Sequence, residues 1–148
     1  MVVSNSTPII HLAKIGKLDL LSALYGQLLV PQAVWRECTS ASKGRDEIED
    51  IRAATWIKTI KFNDRIVTLL RHEIDQGEAE AIALALERNA SLLLLDDAEA
   101  REKARLYHLP VTGTIGVLLR ARKEGLITSW FIRRTCGRGS RKTNLSTL

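Results

Sequence analysis

Gly77-Glu78-Ala79-Glu80-Ala81-Ile82-Ala83-Leu84-Ala85, followed closely by Leu92-Leu93-Leu94-Leu95-Asp96-Asp97, decides the fold. In the first run, apolar residues cover most of a helical circumference, so a helix over 78–87 must be largely buried. The second run is apolar on both faces, as a central strand of a parallel sheet must be, and it stops on two carboxylates. A buried helix leading into a buried strand is half of a strand-helix-strand repeat.

Working outward, residues 98–107 read as a helix and 109–112 as a further strand, and Gly113-Thr114 opens a helix carrying Ile115, Val117, Leu118 and Leu119. Upstream, Val2 and Val3 form a short strand ending at Ser4 or Asn5. Asn5-Ser6-Thr7-Pro8 then starts a helix by a polar cap and a proline at the first helical position. That apolar segment runs to about Tyr25 and is split by Gly16. A second strand over 28–30 meets Pro31, which begins a helix through Val34 and Glu37. Residues 40–50 lack a periodic apolar face and read as a loop passing into an exposed helix. Trp56 to Ile60 alternate like a strand, and a helix over 64–74 follows. Short apolar runs alternating with helical patterns predict an α/β fold around a mostly parallel sheet.

The 148 residues, 45% hydrophobic and 26% charged, make one globular unit over 1–127. No apolar run approaches the roughly 18 residues of a membrane-spanning helix, and the expected location is cytoplasmic, without membrane attachment. Cys38 and Cys136, far apart and without clustered histidines, give neither a disulfide framework nor a zinc signature. The net charge of +5 is unevenly placed. All 17 acidic residues precede Ser129 and are matched there by as many Lys and Arg, so the excess sits in a basic tail over 128–148, with Arg133, Arg134, Arg138, Arg141 and Lys142. Aromatics are 5% of the chain, too few for a nucleic-acid surface built on exposed rings.

In an open parallel sheet, ligands bind beyond the carboxyl ends of the strands. Those ends present Asn5, then Asp96 and Asp97, then Thr112 and Thr114. Glu78 begins the helix preceding the strand over 92–95, and Glu37 lies within reach of the same edge. Carboxylates gathered there repel one another unless a cation sits among them, and oxygen ligands suit Mg²⁺ or Mn²⁺. Such a metal clamp serves phosphodiester hydrolysis by activating water and neutralising the scissile phosphate. Glu80 lies about 200° around the helix from Glu78 and cannot share its pocket. Taken singly, these acids also read as helix caps, with Asp75-x-x-Glu78 and Asp96-x-x-Glu99 resembling capping boxes. His11, His72 and His108 are scattered and read as surface or packing residues, and the three tryptophans as core or interface anchors.

The order of these motifs resembles PIN-domain proteins of the VapC-like toxin branch. The matching segments are Val2 to Ile10 with Leu12 to Gly16, Val30-Pro31-Gln32-Ala33-Val34 with Glu37, Gly77 to Ala85, Leu93-Leu94-Leu95-Asp96-Asp97 with Arg101 and Ala104, and Val111 to Leu119. The resemblance implies an α/β/α sandwich whose acidic pocket binds Mg²⁺ or Mn²⁺ and hydrolyses RNA. It further implies the toxin half of a toxin-antitoxin pair, with a protein antitoxin as partner and a homodimer as the expected assembly. Carried over by position, the metal-binding and catalytic residues are Asn5, Glu37, Glu78 and Asp97 with its neighbour Asp96. Asp97 is preferred because it stands four residues before Arg101. Ser6, Thr7 and Thr114 would orient water or phosphate through their hydroxyls. The family usually has Asp where this chain has Asn5, and an amide offers a neutral carbonyl in place of a charge. That difference keeps open a second reading, a catalytically weakened or inactive module of the same fold that binds an antitoxin or RNA without cutting it.

Overall fold

The computed structural model describes residues 1–40, 45–61 and 65–128. In chain order the elements are β1 (Val2–Ser4), α1 (Ser6–Lys14), α2 (Asp19–Tyr25), β2 (Leu28–Pro31), α3 (Gln32–Cys38), α4 (Arg45–Ala53) and β3 (Ile57–Ile60), then α5 (Arg65–Leu70), α6 (Gln76–Glu87), β4 (Leu92–Leu94), α7 (Ala98–Leu106), β5 (Val111–Thr112) and α8 (Thr114–Lys123). The strands form one sheet in the order β3-β2-β1-β4-β5, and every pairing is parallel. The chain winds from β1 out to β3, then crosses back to lay β4 on the other side of β1. The strand order therefore reverses between β1 and β4, which is where such sheets place their ligands.

Strand side chains point alternately to two faces, and each face has its own aliphatic core. Val2, Leu28, Val30 and Leu94 join one core with Ile9, Leu12, Leu21, Val117 and Leu118, so α1, α2 and α8 cover that face. Val3, Leu29, Leu93 and Leu95 join the other with Ile82, Leu84, Ala100 and Ala104, contributed by α6 and α7. The result is an α/β/α sandwich with a wholly parallel sheet. As the 78–87 pattern requires, Ala79 through Ala85 are all buried. Among the described residues, no helix is long and apolar enough to cross a membrane.

Several local expectations need correction. Pro8 is the third residue of α1, not the first; helix N–H groups up to that point have no intrahelical acceptor, so proline loses nothing there. Pro31 closes β2 and sits just before α3, with φ −63° already set for the turn into the helix. The helix expected to be exposed is α4, and it buries Ile51 completely and Ile48 nearly so, with Ala54 just beyond its end also buried. A window ending at Asp50 misses this stripe, whose three members are spaced three residues apart. The helix expected over 64–74 is α5 alone, ending at Leu70 and followed by turns to the buried Ile74. β5 begins at Val111 because Pro110, lacking an N–H, can only accept, which it does from the Leu93 N–H at 2.8 Å. Cys38 is buried, and Trp35 and Trp56 pack half-buried against the first core. Cys136 and the basic residues of the expected tail lie outside the described residues.

Candidate active site

Asn5 follows β1 at the reversal point. Its N–H is fixed by the Leu94 carbonyl at 2.9 Å, which ties β1 to β4 at their carboxyl ends. The residue occupies the N-cap position of α1 but makes no side-chain capping bond, and the capping role expected of Asn5-Ser6 is not taken up by the amide. Asn5 is 2% exposed and its Oδ1 has no hydrogen-bond partner. An orphaned buried acceptor costs about 1 to 3 kcal/mol, so this oxygen sits where a cation or donor would satisfy it.

Glu37 reaches the same place from α3, which packs against both α1 and α6. The Ser6 hydroxyl donates to Glu37 Oε2 at 2.6 Å. Ser6 thus positions the Glu37 carboxylate. The carboxylate of Glu37 lies against the start of α6 where Gly77 has no side chain, and a Cβ at that position would collide with Glu37 Oε1. Glycine here admits an acidic group to a helix N-terminus, where the helix dipole favours negative charge.

Glu78 stands in the first turn of α6, which Asp75 caps by accepting the Glu78 N–H at 2.8 Å. Burial pushes the Glu78 carboxyl up to about 7, and the charges of Asp75, Asp97 and Glu37 push in the same direction. Burial first, and the neighbouring carboxylates second, therefore leave Glu78 partly protonated at neutral pH. Glu80, two residues on, is buried toward α3, where Arg36 and the Ala33 backbone act on it, and its Oε2 lacks a partner. As the helical angle requires, Glu78 and Glu80 face different surroundings.

Asp96 and Asp97 separate. Asp97, not Asp96, is the N-cap of α7 and accepts the Ala100 N–H at 2.9 Å, which corrects the expected capping box by one residue. Asp96 turns toward β5 and α8. It accepts the Thr114 N–H at 2.6 Å and the Thr114 hydroxyl at 2.5 Å, and His11 Nδ1 lies 3.2 Å from its Oδ2. A Cβ on Gly113 would stand 2.5 Å from Asp96 Oδ1, so glycine is again what lets a carboxylate approach. Thr114, expected to orient substrate, has its hydroxyl proton committed to Asp96. Thr7 is half-buried. His11 is exposed, as read from sequence, and also stands beside Asp96, a contact between remote segments that no local pattern announces. His72 and His108 are exposed, and His108 takes the left-handed backbone (φ 60°) just beyond α7.

Among the described residues, no three acidic, histidine or cysteine side chains converge as a ready-made metal cage. The donor chemistry nevertheless fits a hard divalent cation. The groups are oxygens, Asn5 Oδ1 is buried without a partner, and the carboxylates around Glu78 raise its proton affinity as mutually repelling ligands do. Glu37, Glu78 and Asp97, with Asn5 Oδ1, are the residues that would hold it.

Comparison with curated proteins finds no match. A family model described as PIN domain matches residues 1–133, from β1 through the whole of α8. With nine-tenths of the chain inside that match, and with a parallel sheet that gathers acidic residues at its reversal point, the chain belongs to the PIN-domain family, a nuclease-type fold.

Proposed function

We propose that this protein is a Mg²⁺- or Mn²⁺-dependent endoribonuclease, acting as the toxin of a toxin-antitoxin pair. The observation that carries the reading is the electrostatic frustration at the carboxyl edge of β1 and β4. Glu78 is held near a pKa of about 7 by burial and by Asp75, Asp97 and Glu37, beside the unsatisfied Oδ1 of Asn5. A half-buried carboxylate charge among other carboxylates is a cost that folding alone gives no reason to keep, and a divalent cation relieves it.

A bound divalent ion supplies Lewis-acid activation of water and neutralises charge on the scissile phosphate. The chain's own residues do the rest. Ser6 fixes the Glu37 carboxylate, Gly77 gives it room, the Asp75 cap sets the first turn of α6 and so the position of Glu78, and Asp97 is anchored by its bond to the Ala100 N–H. Asp96, saturated by Thr114 and His11, acts as a strut joining β4 to α8 and α1.

The decisive experiment incubates purified protein with single-stranded and structured RNA, with Mn²⁺ or with EDTA, beside Glu78→Gln. Cleavage that needs the metal and vanishes in Glu78→Gln supports the reading, and the absence of metal-dependent cleavage refutes it. The toxin role entails growth arrest on induced expression, relieved by Glu78→Gln and by a co-expressed protein antitoxin. A homodimer is the assembly this role entails, read by light scattering.

Asn5 favours a second reading, a PIN-fold module that binds an antitoxin or RNA without cutting. It removes one negative charge from the place where the family usually has Asp. In Asn5→Asp that charge returns to a buried position, so the variant should be less stable than wild type in EDTA and gain more stability on adding Mn²⁺. Cleavage present only in Asn5→Asp would establish the second reading.

A further inference from the structure

A cleft of about 820 Å³, lined by Asp96 but not by Glu78, opens between the second half of α1 and the β5–α8 connection. Ile15, just beyond α1, and Ile115 and Leu118 of α8 line it with aliphatic surface, and His11, Lys14 and Arg101 stand around it. Among the described residues no salt bridge engages Lys14 or Arg101, and Arg101 Nε is buried without a hydrogen-bond partner. Ile115 is 52% exposed at the lip. An apolar hollow of this volume is of ligand-binding size and takes a flat, weakly polar group. A buried guanidinium N–H without an acceptor, in a cleft that a lysine also lines, favours an anion there. A nucleotide joins these two demands in one molecule. A protein segment would answer the cations only with a carboxylate placed there, whereas every nucleotide carries its anion at a fixed distance from its base.

We propose that this cleft seats the base of one nucleotide of a single-stranded RNA, the nucleotide adjoining the bond presented to Glu37, Glu78 and Asp97, with Lys14 and Arg101 meeting its phosphate. The inference rests on the ribonuclease reading and adds a substrate subsite to it. Asp96 is the wall between the two halves: its neighbour Asp97 faces Glu78, while its own carboxylate helps line the cleft. Aliphatic side chains hold the base, so base identity is read weakly and unpaired strands are preferred over duplex, whose bases are stacked away.

The test measures fluorescence anisotropy of a fluorescein-labelled RNA octamer in EDTA, where no cleavage intrudes, against an abasic octamer of the same length. Wild type is expected to bind the RNA about tenfold more tightly than the abasic strand. Ile115→Glu, at an exposed position, should bind RNA no better than wild type binds the abasic strand, and Lys14→Glu should weaken both strands. Leu106→Glu, equally apolar in origin, 72% exposed and outside the cleft, is the charge-matched control and should match wild type. RNA binding within about twofold of wild type in both cleft variants, or equal affinity for RNA and abasic strand, overturns the proposal and leaves the cleft to a protein occupant. The two readings fail separately. Intact metal-dependent cleavage with unchanged KM in Ile115→Glu sinks the cleft alone, whereas loss of RNA binding in the cleft variants with no cleavage by any form sinks the ribonuclease reading and its scissile bond, leaving the cleft as a site that binds RNA without cutting it.

Discussion

Replacing Glu78 by Gln should stabilise the protein while abolishing its metal-dependent activity, and the stabilisation should depend on pH in a defined direction. The folded-state carboxyl is pushed from 4.5 to about 7 by burial and then by Asp75, Asp97 and Glu37. Between those two values the folded chain holds a proton that the unfolded chain has lost, so stability falls as pH rises through that window and stays low above it. At 1.36 kcal/mol per tenfold change in proton affinity, the full interval sets an upper bound of about 3 kcal/mol. Glu78 keeps partial access to water, and screening brings the expectation to about 1 to 2 kcal/mol. Glutamine has the shape of protonated glutamate and carries no charge to repel. Glu78→Gln should therefore match wild type near pH 4.5 and exceed it in Tm by about 3 to 6 °C at pH 8 in EDTA. Differential scanning calorimetry across this range makes the measurement. Mn²⁺ at pH 8 should raise the Tm of wild type and leave Glu78→Gln nearly unchanged. A Glu78→Gln protein no more stable than wild type at pH 8, or stabilised equally at every pH, would refute the claim that a buried, unrelieved carboxylate charge marks the site.

Three further expectations follow from individual contacts. Gly77→Ala gains about 0.5 to 1 kcal/mol of helix propensity, but its Cβ displaces the Glu37 carboxylate from Ser6, so Tm should change little while RNA cleavage falls at least about tenfold; undiminished cleavage would show that the position of Glu37 does not matter. Thr114→Val removes the hydroxyl donor to Asp96 and should cost about 1.5 to 3 kcal/mol by urea denaturation, the value of a hydrogen bond to a charged group, and a loss below about 0.5 kcal/mol would remove Asp96 from its role as a strut. Truncation after Ile127 removes Arg133, Arg134, Arg138, Arg141 and Lys142, and it should flatten the salt dependence of RNA affinity if the basic tail contacts phosphate; an unchanged slope assigns the affinity to the domain itself.

Local pattern was enough to write down the layered α/β architecture. Leu92 to Leu95 had to be a central strand because nothing in that run tolerates water on either face, and the helix through Ala79 to Ala85 had to be largely buried because apolar residues cover most of its circumference. The gathering of Glu78 and Asp97 at one edge also followed from the chain, because parallel strands all deliver their carboxyl ends to the same side. Direction at the single-residue level did not follow. Asp96 and Asp97 are neighbours in sequence yet serve opposite sides of β4, since a chain leaving a strand changes side-chain direction at every residue, and the α7 cap claims Asp97. The burial of Asn5 Oδ1, the room that Gly77 and Gly113 leave for two carboxylates, and the pairing of His11 with Asp96 are contacts between elements remote in sequence. No periodicity encodes them, because they arise only when helices from both faces close over the strand ends.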